Sequence, residues 1–197
     1  MDLPCCEEFL GDKLTAFAPN TLGVPYHKNK SLDMIKQLFD IAALFDIVND
    51  CSIVDSSHQR VFEIQNAFFG NQYTRADVLN DTIETAYLIC QLDLKNSVEN
   101  ENTQELRRGM KQIRSYLLLD SFAFPEIKIV ASKTAFIAAV LRDNQSMDLA
   151  AVRFDDEKLK DLSEKQVAEK YNVLDRLRYT APEAFYYWHL VSQLTTR

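Results

Sequence analysis

Four groups of residues in this chain have types and spacings that could do chemistry. Lys13 lies in the run Phe9-Leu10-Gly11-Asp12-Lys13-Leu14-Thr15-Ala16-Phe17, where Phe9, Leu10, Leu14 and Phe17 form the apolar stripe and leave the lysine on the polar side. Asp33 and Asp40, seven residues apart in the next helical run, share one face and keep a carboxylate pair available. Ahead of that run, Tyr26, His27, Lys28 and Lys30 place basic and aromatic residues at a helix entrance, where phosphate can be bound and a base stacked. Arg107, Lys111 and Arg114 recur at i, i+4 and i+7, with Arg108 beside them, as a basic stripe suited to RNA phosphates or an acidic partner. Each group also has an ordinary alternative. A charge on a helix can simply be solvated, and Asp33 can complement the positive end of a helix beginning near Ser31.

Other chemistries lack their residues. Metal-dependent nucleotidyl transfer uses acidic residues, usually two on a strand, beside a small Gly/Ser turn that grips a triphosphate. No Gly-Ser or Gly-Gly pair occurs here, and the Asp81…Glu84 and Asp155-Asp156-Glu157 groups lie in helical or loop contexts. There is no P-loop, Rossmann glycine pattern or nucleophile elbow. His27, His58 and His189 are scattered, and Cys5, Cys6, Cys51 and Cys90 form no C-x-x-C pair, so no metal site is expected and the cysteines read as free thiols.

The elements that must position these residues read as helices. Only four Gly and five Pro punctuate 197 residues, too few for the many turns of a sandwich or barrel. The 47% hydrophobic and 26% charged residues are ordinary for a globular chain. The net charge of −7 argues against a generic polyanion binder but leaves room for a local basic site. No apolar run approaches the roughly 20 residues that span a bilayer. Asp2 stands where a secretory leader carries basic residues, so a cytoplasmic protein without a membrane segment is expected.

The periodicity predicts helices over 5–18, from a Ser31 cap to about Val48, over 57–70 up to Gly70, and over 78–92 behind a Thr74 cap. It predicts further helices over 103–119, over 125–142 opening at Pro125, over 163–178, and over 181–195 with Pro182 in the first turn. The stretch from Leu149 to Val152 reads as a short extended piece, and Lys95 to Asn102 as the polar boundary between two helical regions, 1–94 and 103–197, packed as one unit. The fold class is therefore all-α, about eight helices in an irregular bundle with little or no sheet. In the last helix, Ala184, Phe185, Trp188 and Val191 point inward, while Tyr186 and Tyr187 are left toward solvent or a partner.

The run from Phe9 to Phe17, the loop from Pro19 to Pro25, and the stretch Lys30-Ser31-Leu32-Asp33-Met34-Ile35-Lys36-Gln37-Leu38-Phe39-Asp40-Ile41 together resemble the C-terminal half of the AbiEii/AbiGii-type nucleotidyltransferases, the toxin halves of abortive-infection toxin–antitoxin pairs. The resemblance covers at least residues 5–90 and is looser beyond. It implies that Lys13, in its Lys13-Leu14-Thr15-Ala16 context, lies near nucleotide phosphates as a mobile point charge. It implies a basic-acid-aliphatic-aromatic-acid pattern in the second helix, where this chain reads Lys36-Gln37-Leu38-Phe39-Asp40. The first acid is thus an amide, which cannot act as a general base, while Asp40 remains to assist. Lys28, Lys30 and Lys36 would hold the triphosphate or the acceptor.

The family's full enzymes would transfer a nucleotide from an NTP, with Mg²⁺, onto an RNA or protein acceptor. The strand-rich core that binds metal is not in this sequence, so the chain is expected to be inactive alone, with Mg²⁺ and NTP as cofactors only once that core is supplied. Its opening close to a motif-bearing helix fits a truncated gene or a misassigned start. The alternative is a non-catalytic helical module that binds an antitoxin or another protein through Arg107, Lys111 and Arg114. A helical domain with no retained role is a third reading.

Overall fold

The computed structural model describes residues 4–115 and 124–195. Among them the chain forms α1 (Cys6–Ala16), α2 (Ser31–Phe45), α3 (Cys51–Phe68), α4 (Arg75–Gln91), α5 (Glu101–Ile113), α6 (Phe124–Arg142), α7 (Asp156–Lys160), α8 (Leu177–Thr180) and α9 (Pro182–Thr195). Two 3₁₀ segments, Asp161–Glu164 and Glu169–Arg176, lie between α7 and α8. The described residues contain no strand beyond a single antiparallel bridge between Asp50 and Asp148. The fold is all-α, an irregular helical bundle, as the sparse turn residues predict.

The helices begin where short polar side chains satisfy the first N–H groups. Asp50 accepts from the Ser52 N–H (2.8 Å) and starts α3. Thr74 and Asp77 exchange reciprocal bonds at the start of α4, as do Asn100 and Thr103 at α5. The chain leaves α3 through Gly70 (φ 70°) and Asn71 (φ 58°), left-handed positions that stop the helix.

Several boundaries differ from expectation. The third helix begins at Cys51 rather than 57, because Asp50 caps it and buried Cys51 and Val54 extend its apolar face. Ser31 is the first residue of α2 and not its cap; Lys30 holds that position with no side-chain bond to the helix. The region 163–178 forms 3₁₀ turns and one short α-helix, and Leu149–Val152 is a turn. The helix expected over 103–119 runs over Glu101–Ile113, and residues 116–119 lie outside the described residues.

One core cluster runs from Leu10 to Val191 and draws on both the 1–94 and 103–197 regions. Its centre is α6, whose C-terminal half is buried on every side: Ala135, Phe136, Ile137, Ala138, Ala139, Val140 and Leu141 are all buried, with Ala131 one turn before them. It packs on α4 and α9, while α1 packs on α3 and α2 on α5. Tyr187 stands edge-on to Phe45 (5.5 Å between centroids) and Tyr171 lies 4.7 Å from Trp188. Tyr186 and Tyr187 are therefore core residues rather than solvent-facing ones. The Tyr186 hydroxyl donates to the Val152 carbonyl (3.1 Å) and the Tyr187 hydroxyl accepts from the Phe154 N–H (3.2 Å).

Two crossings are so close that only glycine fits. A Cβ on Gly11 would stand 2.7 Å from the His58 backbone nitrogen in α3, and one on Gly109 would stand 2.3 Å from the Ser31 carbonyl oxygen in α2. Gly109→Ala must push α5 off α2. It should lower stability by roughly 1–3 kcal/mol, the range for overpacking, read as a drop in denaturation midpoint with an unchanged slope.

Behind the Gly11 crossing, His58 is fully buried; its Nδ1 accepts from Arg75 Nε (3.0 Å), and Nε2 lacks a partner. Burial, reinforced by Arg75, lowers its pKa from 6.5 to about 3. A depressed histidine pKa means the unfolded chain takes up the proton first as pH falls. His58 should therefore cost stability progressively from about pH 6.5 down to about pH 3. Thermal melts across that window should show a shallower slope for His58→Gln than for the parent chain.

Candidate functional site

The residues singled out in the first 45 positions lie on two helices and the segment joining them. Lys13 sits in the last turn of α1 and Asp40 in α2, and Lys13 Nζ lies 3.0 Å from Asp40 Oδ2. Their side chains are 27% and 50% exposed, so the pair is open to solvent and to a ligand. Two candidate catalytic residues are thus brought together, in a contact between half-exposed charges of a kind that contributes only about 0.2–1 kcal/mol. Asp33 turns to its own cation, Lys36, at 4.0 Å. The seven-residue spacing separates Asp33 and Asp40 by about 10 Å along the helix, so they do not form a joint cation ligand. Gln37 is half-buried beside them.

The joining segment is held by two buried carboxylates. Asp81, on α4, accepts from the Asn20 N–H (2.7 Å), the Asn20 side-chain amide (2.6 Å) and the Thr21 hydroxyl (2.9 Å), with the Thr85 hydroxyl at 3.4 Å. Burial raises its pKa, and the hydrogen bonds from Asn20 and Thr21 oppose that shift. Glu105, on α5, accepts from the His27 N–H (2.7 Å) and lies 3.2 Å from His27 Nδ1, while His27 Nε2 is 3.0 Å from Asn102 Oδ1. His27 and Asn29 both take left-handed backbone conformations (φ 61° and 57°), which turn the chain sharply into α2.

Tyr26 is buried in the core with an unpartnered hydroxyl, and burial pushes its pKa up. It does not stack a base from outside, contrary to its reading as a loop aromatic. Lys28 and Lys30 are exposed. Their loop is tied to α5 by His27, by the Ser31 hydroxyl bond to Gln112 Oε1 (3.2 Å), and by Gly109 under the Ser31 carbonyl. Lys28, Lys30, Arg108 and Lys111 are all exposed, and no acidic side chain among the described residues pairs with any of the four.

The basic stripe is accordingly redrawn. Arg107 is committed to a neighbouring loop, donating to Asp93 (2.7 Å) and Glu99 (2.9 Å) and closing the 93–99 loop on α5. Lys111 and Arg114 remain on the exposed side. Periodicity places Arg107 and Lys111 on one face but cannot show which charge finds a carboxylate in a distant loop. Asp81 and Glu105 were missed for the same reason. The available signal was a short acid amid Val78, Thr82, Thr85 and Ile89, facing the turn-forming Asn20-Thr21.

Among the described residues no group of three or more His, Cys, Asp or Glu side chains could hold a metal ion, and Cys51 and Cys90 are buried free thiols whose pKa values burial raises to about 11 and about 12. No helix among them is long and apolar enough to cross a membrane. No family model matches the chain, and neither does any curated protein or solved structure.

The Asp81 contacts make the loop a sensitive reporter. Asp81→Ala removes the acceptor for the Asn20 N–H and the Thr21 hydroxyl. It should cost roughly 1 kcal/mol, because Asn20 is exposed and Thr21 half-buried, so the freed donors can turn to water. Trypsin should then cut after Lys28 or Lys30 faster than in the parent chain, while Asp33→Ala leaves the rate unchanged.

Proposed function

We propose that this chain is the helical part of a nucleotidyltransferase-like toxin of a toxin–antitoxin or abortive-infection system, able to hold phosphate but not to complete the transfer alone. The observation that carries the reading is the meeting of Lys13 and Asp40 at 3.0 Å across α1 and α2. These are two residues that the resemblance to AbiEii/AbiGii-type nucleotidyltransferases singles out. Lys13 would neutralise a phosphate group, and Asp40 would orient the ammonium when the site is empty and release it when an anion arrives. Lys36 lies one turn before Asp40 on the same helix, and Lys28 and Lys30 lie in the loop that leads into it. They would extend the grip toward the triphosphate or an RNA acceptor. Mg²⁺ would enter with the nucleotide and with the metal-holding core the family supplies elsewhere.

A second reading has its own observation. Lys28 and Lys30, in the loop tied to α5, and Arg108 and Lys111, on α5, are exposed cations in a chain of net charge −7. They suit an acidic protein partner such as an antitoxin, bound without catalysis.

Calorimetric titration of the chain with each NTP and Mg²⁺ tests the first reading. Binding in the millimolar range or tighter is expected, lost in Lys13→Ala and strengthened several-fold in Asp40→Asn, where the ammonium is no longer paired. No heat with any nucleotide, or binding that Lys13→Ala leaves intact, overturns it. Binding lost only in a Lys28→Glu/Lys111→Glu variant would shift the assignment to these cations.

A further inference from the structure

Each ring nitrogen of His27 faces an oxygen. Nδ1 lies 3.2 Å from Glu105 Oε2, and Nε2 lies 3.0 Å from Asn102 Oδ1. A neutral imidazole carries one N–H and donates to only one of them, whereas the imidazolium donates to both. Glu105 makes the same demand from its side. It is buried, and no Lys or Arg among the described residues pairs with it, so His27 is its one available counter-charge. Its Oε1 is buried without a partner, and its Oε2 accepts both the ring and the His27 backbone N–H (2.7 Å). A buried carboxylate stripped of its counter-charge is strongly disfavoured. Turning the Asn102 amide over would offer a donor to a neutral Nε2, yet Glu105 would still lack that charge.

The contact sits at a turn that needs holding. His27 (φ 61°) and Asn29 (φ 57°) are both left-handed, a conformation residues with a side chain keep only where their surroundings fix it. The charged groups around the ring are few. Glu105 reaches it from α5, which also carries the exposed Glu101 and Arg108 one turn to either side. Within the loop, the Tyr26 ring lies 5.9 Å away with a buried hydroxyl that keeps its proton, and the exposed Lys28 follows in the chain. Asp81 of α4 acts at the other end of the segment, on Asn20 and Thr21. Closure against Glu105 favours the protonated ring, and linkage is reciprocal. The contact is therefore firmest on the acid side of histidine's ordinary range and weakens as pH rises through it.

We propose that the His27–Glu105 contact is a proton-operated latch on the loop that enters α2, closed by the imidazolium and released when the ring is neutral. Release leaves the Ser31 bond to Gln112 and the Gly109 crossing in place, so α2 stays packed on α5. What loosens is the stretch from Tyr26 to Lys30, and with it the position of Lys28 and Lys30. The His27 side chain is 53% exposed, so the effect has the size of a half-exposed ion pair, about two- to fivefold in the opening equilibrium. The latch governs the order of the loop itself and holds whatever the loop binds, so it stands apart from the Lys13 reading.

The test is amide hydrogen exchange of the full chain at about pH 6 and about pH 8, on either side of histidine's ordinary range, expressed as protection over the intrinsic rate at each pH. The reporter is the His27 N–H, which Glu105 holds. The reference is the Tyr73 N–H, which donates to the Asn66 side-chain oxygen (3.2 Å), a bond between groups that do not titrate. Protection at His27 should fall about two- to fivefold between the lower and the higher pH while Tyr73 keeps its own. His27→Asn suits the left-handed backbone and keeps a neutral donor, and its residue 27 amide should be protected alike at both pH values. Glu105→Gln keeps the shape and removes the charge, and should also abolish the response. Unchanged α4 and α6 signals identify a variant as folded; if Glu105→Gln does not fold, the half-exposed His27→Asn carries the comparison. The latch is refuted if His27 protection changes no more than that of Tyr73, or if either folded variant keeps the parent's response to pH.

Discussion

The carboxylate of Asp81 is the interaction on which the first third of the molecule depends. It is 7% exposed and receives two hydrogen bonds from Asn20 and one from the Thr21 hydroxyl. A carboxylate in such a place is stable only while its lone pairs are satisfied. The segment between α1 and α2 supplies those donors and is fixed in return. Glu105 repeats the arrangement from α5, taking the His27 N–H in a conformation with positive φ. With both ends of the segment held, α2 starts where Asp40 can reach Lys13 and where Lys28 and Lys30 stand beside α5.

Charge is sorted by the fold in a way that composition hides. Arg107 is committed to Asp93 and Glu99, Lys133 to Asp46 and Glu183, and Arg142 to Asn80 of α4. Arg153 caps the Phe45 and Val48 carbonyls at the end of α2. These cations fasten one segment to another. Others, including Lys28, Lys30, Arg108, Lys111, Lys95 and Arg176, have no acidic partner among the described residues. A net charge of −7 thus coexists with exposed cations that no carboxylate neutralises.

Much of the helical framework was legible from local patterns. The apolar positions of α2 and α6, the Thr74 cap of α4 and Pro182 in the first turn of α9 all correspond to the elements observed. Local patterns failed where the chain follows 3₁₀ turns over 161–176, because i, i+3 spacing there mimics a helix while the backbone yields to packing of Tyr171 and Leu174. They failed also at Tyr186 and Tyr187, whose hydroxyls find partners in the 152–154 turn and so allow both rings to be buried. The contact between Lys13 and Asp40 joins two helices and follows from no spacing along the chain. Nor does the commitment of Arg107 to Asp93 and Glu99.

By itself the sequence determined the all-α class and the order and approximate extent of most helices. Those properties follow from helical periodicity and from capping chemistry over three or four residues, which are local. Tertiary structure alone decided that Asn20 meets Asp81, that His27 meets Glu105, and that Arg107 is spent on a loop. The physical reason is that a buried polar group must find its partner wherever the packed helices place one. That position is set by how the apolar faces of α4, α5 and α6 come together, not by any spacing along the chain.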